Sequence, residues 1–149
     1  MPHVSKIPYV RRELAATYPL SMATTVEAAD FVERFRDFWT SPVPDRLDLV
    51  LSPDVVLVAP TMPSTRGLAE AKDAWAGLLA LIPDLSNEIH RWAASEDGVF
   101  IEFTLTGTVG GTKLSWPVVD RFVLDESGLA SERVGYFDPA PIMAAMAGS

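Results

Sequence analysis

Cysteine is missing from this sequence, and histidine occurs only twice. Without cysteine the chain has no disulfide bonds, thiol nucleophiles or thiolate metal ligands. One histidine lies inside the predicted fold, and no metal-ligand spacing surrounds it. The glycine-containing turn GTVGG lacks the lysine and the following helix of a phosphate-binding loop. We therefore expect no metal and no other cofactor.

Basic residues are also scarce. Twelve Lys and Arg stand against 20 Asp and Glu, which gives a net charge of −8. Nucleic acids and anionic membrane surfaces attract basic patches, so neither is expected as a partner. No run of about 18 apolar residues could form a membrane helix. The basic residues near the start are not followed by the apolar segment of a signal peptide, so we expect a cytoplasmic protein.

The chain does contain bulky apolar material for a core. Of its 149 residues 48% are hydrophobic, with 7 Phe and 4 Trp, which suits one domain. Residues 1–23 show no sustained periodicity, and we expect an extended arm with a short helical turn near residues 12–17. The domain is expected to cover residues 24–149.

Apolar periodicity predicts helices first and strands afterwards. Thr24 and Glu27 form a capping-box pattern, and an apolar stripe at helical spacing follows: Ala28, Phe31, Phe35, Phe38 and Trp39. Further helices are predicted over 45–51, 68–81 and 140–146, a short strand over 55–58, and a loop over 59–67 from its prolines and glycine. The last helix is expected to cover an edge or an opening.

Four longer strands are predicted over residues 86–94, 99–108, 113–124 and 129–137. Their hairpin-length turns favour an antiparallel meander. This order predicts an α+β protein, in which a cone-shaped, curved antiparallel sheet packs against N-terminal helices and encloses an apolar pocket.

One carboxylate interrupts the apolar face of a predicted strand. In SWPVVDRFVL, Asp120 shares its face with Trp116, Val118 and Phe122, because strand side chains alternate. If the next turn pairs Leu124 with residue 129, Asp120 lies directly opposite Arg133. A bulge or an odd-length turn would break that pairing.

Two interpretations of Asp120 compete. It could form a buried ion pair that fixes strand register, or an acid/base carboxylate in a pocket wall. Burial alone would raise its pKa and make it a proton donor, whereas Arg133 would lower the pKa and leave an ionised base. Sequence alone does not choose between these alternatives.

The chain resembles the SnoaL-like family of the nuclear transport factor two-like superfamily. The resemblance covers about residues 26–146 and rests on SPDVVLVAP, TRGLAEAKDAW, LIPDLSNEI, TGTVGGTKLSWPVVDRFVL and GYFDPAPI. It implies that Asp120 matches the acid/base aspartate of the cyclases and the protonated oxyanion-hole aspartate of ketosteroid isomerase. The superfamily's other catalytic positions hold no catalytic group here: Phe35 and Ala59 for the isomerases, Phe103, Leu105 and Gly135 for the epoxide hydrolases, and Val109 for the cyclases.

The resemblance and the strand pattern together predict the site. Asp120 and Arg133 are the candidate catalytic residues. The candidate substrate-binding residues are apolar and face the expected pocket: Phe35, Trp39, Leu57, Ala59, Trp75, Phe103, Leu105, Trp116 and Val118.

Three other polar residues are weaker candidates. His90 shares a predicted strand face with Glu88 and Trp92, and we expect a structural role for it. Glu102 is expected to point to the outer face of the sheet. Arg66 precedes the helix predicted over 68–81 and is expected to be a surface residue in a turn.

Two functions remain open. The first is an enzyme that isomerises, cyclises or opens an epoxide of a small apolar polyketide-, terpenoid- or steroid-like molecule. The second is a non-catalytic binding or dimerisation module of the same fold. The outer sheet face carries Val119, Val123, Val134 and Tyr136 among charges, and it predicts a homodimer through that surface.

Overall fold

The first helix packs the predicted aromatic stripe into the core. The computed structural model describes residues 22–148, and the predicted arm with its helical turn lies outside them except for its last two residues. Helix α1 spans Met22–Thr40 and buries Phe31, Phe35 and Phe38. The capping-box prediction is wrong, because the helix already includes Met22 and Thr24 therefore lies inside it.

The segment after α1 forms a 3-10 helix and a hairpin. The 3-10 helix spans Pro44–Leu49, strand β1 spans Leu51–Ala59 and β2 spans Met62–Arg66. The loop predicted over 59–67 is therefore wrong. The chain turns at Thr61, whose φ is 72°, and β2 lies at the sheet edge, where a proline lacking its N–H is tolerated.

The second long helix confirms its prediction at both ends. Helix α2 spans Leu68–Leu81. Gly67 precedes it with a φ of 92°, and its N–H donates to the carbonyl oxygen of Val55 at 2.7 Å. The Trp75 indole Nε1 donates to the carbonyl oxygen of Pro42 at 2.7 Å, and its ring lies 5.5 Å from that of Trp39. These contacts hold α2 against the end of α1.

The meander is confirmed and is part of a larger sheet. Strands β3 (Ser86–Ser95), β4 (Gly98–Val109), β5 (Thr112–Leu124) and β6 (Ala130–Tyr136) follow in order, and helix α3 (Ala140–Ala147) ends the described chain. Strand β1 pairs parallel with β6. The sheet therefore has six strands, ordered β2-β1-β6-β5-β4-β3, and the α+β class is confirmed.

The core lies between α1 and the sheet face that carries Phe103, Trp116 and Phe122, here named the inner face. The rings of Phe31 and Phe122 are 4.7 Å apart, and those of Phe35 and Phe103 are 5.5 Å apart. Each such fully buried side chain stabilises the fold by about 1.5–3 kcal/mol. Within residues 22–148, no helix has the length and apolarity to cross a membrane.

Candidate active site

A cavity of about 730 Å³ lies between the inner face and the helices. Helices α1 and α2 and strands β1, β4 and β5 contribute the residues that the sequence analysis assigned to substrate binding. The structure places all of them in its wall: Phe35, Trp39, Leu57, Ala59, Trp75, Phe103, Leu105, Trp116 and Val118. A cavity of this volume, with a wall of this composition, suits a small organic molecule.

Some residues of the cavity wall were not predicted from the sequence. Helix α3 contributes Ile142, Met143 and Met146, and the edge strand β2 contributes Met62 and Thr65. The apolar sequence of α3 and its predicted role as a cover were the signals that could have placed this helix in the wall. Strand β2 gave none, because its proline favoured a loop.

Asp120 lies on the inner face of β5 and is 3% exposed. Its neighbour on β4 is Ile101. On β6 its partner is Gly135, so the predicted partner, Arg133, is wrong. Arg133 instead lies opposite Phe122, because the turn pairs Leu124 with Ala130 and a bulge between Val123 and Leu124 shifts the register by one more residue.

The predicted ion pair nevertheless forms, along the diagonal. Nη2 of Arg133 lies 3.0 Å from Oδ1 of Asp120, because a displacement of two residues keeps both side chains on one face. Gly135 makes the contact possible. A Cβ at that position would lie 2.8 Å from Arg133 Nη2 and 3.0 Å from Asp120 Oδ1.

Burial raises the pKa of Asp120 above its ordinary value of 3.8, and the positive charge of Arg133 only partly opposes this shift. The charge of Arg133 and its hydrogen bond to Asp120, with Nη2 3.0 Å from Oδ1, lower the pKa less than burial raises it. Desolvation of a carboxylate favours its neutral form. The arrangement therefore makes Asp120 able to donate and accept a proton nearer to neutral pH than an exposed aspartate.

Few polar groups share the cavity with this pair. In the part of the chain that the structure describes, Asp120 and Arg133 are the only charged residues of the wall, and Thr61 and Thr65 carry its only hydroxyl groups. No group of three or more His, Cys, Asp or Glu within residues 22–148 is placed to hold a metal ion.

The other polar candidates lie away from the cavity. His90 is exposed and contacts Thr104 Oγ1 through Nε2 at 2.7 Å. A bulge between Ile89 and Arg91 separates its face from that of Trp92, so the predicted shared face is wrong. Glu102 lies on the outer face, as predicted, with its Oε1 2.8 Å from Nε of Arg91.

Arg66 ends strand β2 and is exposed. Its backbone N–H donates to Oε1 of Glu70 at 3.0 Å, which ties the end of the strand to the first turn of α2. Its exposure agrees with the surface position that we expected, but Arg66 belongs to a strand and not to a turn.

The outer face combines apolar side chains with ion pairs. Tyr136 is 53% exposed and Phe100 is 39% exposed. Between the valines of β5 and β6, Nη2 of Arg121 lies 3.2 Å from Oε2 of Glu132. The side chains expected to form a dimer surface thus lie together on one side of the sheet.

Comparisons with known proteins agree with this architecture. A family model described as a SnoaL-like domain matches residues 32–133. No curated protein sequence matches the chain. A putative SnoaL-like polyketide cyclase from Jannaschia sp. CCS1 is 19% identical, with a TM-score of 0.72 over 83% of this chain and 94% of that one.

Two further solved structures show the same fold. An LEH-like epoxide hydrolase from M. tuberculosis is 22% identical, with a TM-score of 0.65 over 83% of this chain and 91% of that one. TerC, co-crystallised with polyporic acid, is 15% identical, with a TM-score of 0.72 over 81% of this chain and 98% of that one. At these identities the likeness concerns the fold, and function has to be argued from the site.

Proposed function

Because the chain belongs to the SnoaL-like domain family, whose fold surrounds a cavity here, we propose that it is a cofactor-independent enzyme that uses Asp120 for proton transfer on a small, largely apolar molecule. The observation that carries this proposal is a buried carboxyl of raised pKa in the wall of a 730 Å³ apolar cavity. Perturbed carboxyls in clefts are typical of functional sites.

The proposed chemistry divides between the two charged residues. Asp120 gives a proton to the substrate, or takes one from it, and such acid/base catalysis contributes roughly 10²–10⁴-fold to a rate. Arg133 stabilises negative charge that develops on a substrate oxygen. Isomerisation, aldol-type cyclisation and epoxide opening all need these two functions, and they are the reaction classes we propose.

The substrate class follows from the wall. Aromatic and aliphatic side chains from two helices and the inner face favour a polyketide-, terpenoid- or steroid-like molecule. The relatives support this proposal in general terms, since one is described as a putative polyketide cyclase and another was co-crystallised with polyporic acid. We further propose that the protein acts in the cytoplasm, as a homodimer formed through the outer face.

The second candidate is a binding module without catalysis. It is favoured by the loss of the superfamily's other catalytic groups, since Phe35, Ala59 and Val109 stand where a tyrosine, an aspartate and a histidine are expected. In that case the pair in the wall would position a ligand and leave it unchanged.

The test begins with native mass spectrometry of the purified protein, which identifies any bound molecule and so supplies a scaffold for a turnover assay. We expect Asp120→Asn to abolish turnover and to keep the fold and the ligand. Glu102→Gln is the matched control, because it removes a carboxylate from the opposite face of the same sheet. Retained turnover in Asp120→Asn would refute the catalytic role and favour the binding module.

A further inference from the structure

The two charged groups of the cavity are unequally accessible. The Asp120 side chain is 5% exposed, whereas the Arg133 side chain is 22% exposed. Both line the cavity, so the guanidinium is the more accessible of the two to a bound molecule. Arginine stays protonated in proteins and carries five N–H donors.

Most of those donors have no protein acceptor. Across residues 22–148, Asp120 is the only ion-pair partner of Arg133, and its Oδ1 lies near only one guanidinium nitrogen, Nη2. The remaining donors of this partly exposed cation have to be satisfied by water or by an acceptor of the ligand, which would displace that water. A planar guanidinium matches a carboxylate or another acidic oxygen best.

We propose that the ligand of this cavity carries an acidic oxygen, as in a carboxylic acid, a phenol or an enol, which binds Arg133 as an anion while Asp120 takes up one proton. This inference rests on the proposed function and narrows its substrate class from apolar molecules to apolar weak acids. A ligand that enters as a neutral acid passes its proton to Asp120. A ligand that enters as an anion draws that proton from solvent.

Charge balance in the cavity explains the proton. With Asp120 ionised, Arg133 is already paired with one anion. A bound ligand anion would then leave a net negative charge among apolar groups, where the repulsion between two anions is strong. Protonation of Asp120 removes that excess and leaves a single pair between Arg133 and the ligand. No other titratable side chain of the described chain faces Asp120 from the cavity wall, so the proton is assigned to this carboxyl.

The test uses two probes that share the same rings: 2-naphthoate, which is an anion, and methyl 2-naphthoate, which is neutral. Isothermal titration calorimetry measures their affinities, and repetition in buffers of different ionisation enthalpy counts the protons taken up. We expect the folded wild-type protein to bind naphthoate at least about tenfold more tightly than its ester, as one charge-assisted hydrogen bond would provide. Close to one proton should be taken up with each naphthoate.

Three variants separate the contributions. Arg133→Met keeps an apolar stem and should lose the preference for naphthoate while it binds the ester as before. Arg133→Lys keeps the charge and should retain the preference, which covers the case in which the methionine variant does not fold. Asp120→Asn should bind naphthoate without proton uptake, because its side chain cannot titrate.

Equal or tighter binding of the ester by the wild-type protein, or binding of neither probe, would overturn the inference. Naphthoate binding without proton uptake would overturn the role of Asp120 in it. Turnover is not measured in these titrations. If the titrations show no preference for naphthoate, the proposed proton-transfer role of Asp120 is therefore not refuted. If turnover assays refute that role, a measured preference for the anion still holds.

Discussion

Substitution of Gly135 by alanine tests the arrangement of the ion pair without touching either charge. The new Cβ would lie 2.8 Å from Nη2 and 3.0 Å from Cζ of Arg133, and 3.0 Å from Oδ1 of Asp120. The guanidinium is the end of a flexible side chain, so we expect it to move into the cavity. Asp120 would then remain buried without its cation.

The magnitude follows from two opposing effects. Alanine in place of glycine within a strand gains about 0.5–1 kcal/mol, and removing the partner of a buried charge costs about 3–5 kcal/mol. At a pH where Asp120 is ionised, we therefore expect the free energy of unfolding to fall by about 2–4 kcal/mol. At acid pH Asp120 is neutral in both proteins, so the loss should be much smaller.

Urea unfolding of the wild-type protein and Gly135→Ala measures this difference, at one pH where the Asp120 carboxyl is protonated and at one where it is ionised, both chosen from its own titration. Gly77→Ala is a useful control, because nothing lies within 4 Å of a Cβ there and a helical alanine should stabilise by about 0.5–1 kcal/mol. An equal loss for Gly135→Ala at both pH values would show that steric overlap, and not the loss of the cation, is the cause.

Further predictions concern pH, assembly and the cavity cover. The pKa of Asp120 is raised above 3.8, so its stability contribution is present at low pH and is lost as the pH rises through the folded value; Asp120→Asn should flatten that part of the urea-unfolding profile. The pKa of Asp84 is lowered, chiefly by hydrogen bonds from Thr108. The stability that this carboxylate contributes is therefore lost as the pH falls through its pKa in the folded protein. Asp84→Asn should remove this loss of stability at acid pH. Sedimentation at micromolar concentration should give a dimer, and Tyr136→Glu a monomer; a wild-type monomer would refute the outer-face assembly. Deletion of residues 140–149 removes α3 from the cavity wall and should weaken binding of methyl 2-naphthoate; unchanged affinity would exclude α3 from the site.

The helices and strands that could be predicted from sequence are those whose apolar residues recur with the period of a helix or of a strand. The bounds of helix α2 and of strands β3 to β6 follow from the residues within about two positions, although the bulge at His90 breaks the alternation inside β3. Strand β2 could not be predicted, because its proline signals a loop and its strand structure comes from pairing with β1 at the sheet edge. Thr24 failed as a helix start because a local capping pattern does not fix where a helix begins.

The site was predictable on one level and not on another. The alternation of β5 correctly placed Asp120 among Trp116, Val118 and Phe122, since only the face had to be known. The register could not be derived, because it depends on the turn and on a bulge that no residue pattern announces. The ion pair between Asp120 and Arg133 forms although the predicted register is wrong. A displacement of two residues leaves both side chains on the same face, and Gly135 leaves the space that the guanidinium fills.

The most direct test of the account is a carbon-13 NMR titration of the protein labelled at its aspartate carboxyl carbons, with Asp120→Asn used to assign one resonance. We predict that the Asp120 carboxyl titrates above its ordinary pKa of 3.8 and that its resonance shifts toward the neutral form when 2-naphthoate binds. A pKa at or below the ordinary value would show that Arg133 outweighs burial. It would contradict the proposal that this carboxyl gives and takes a proton inside the cavity.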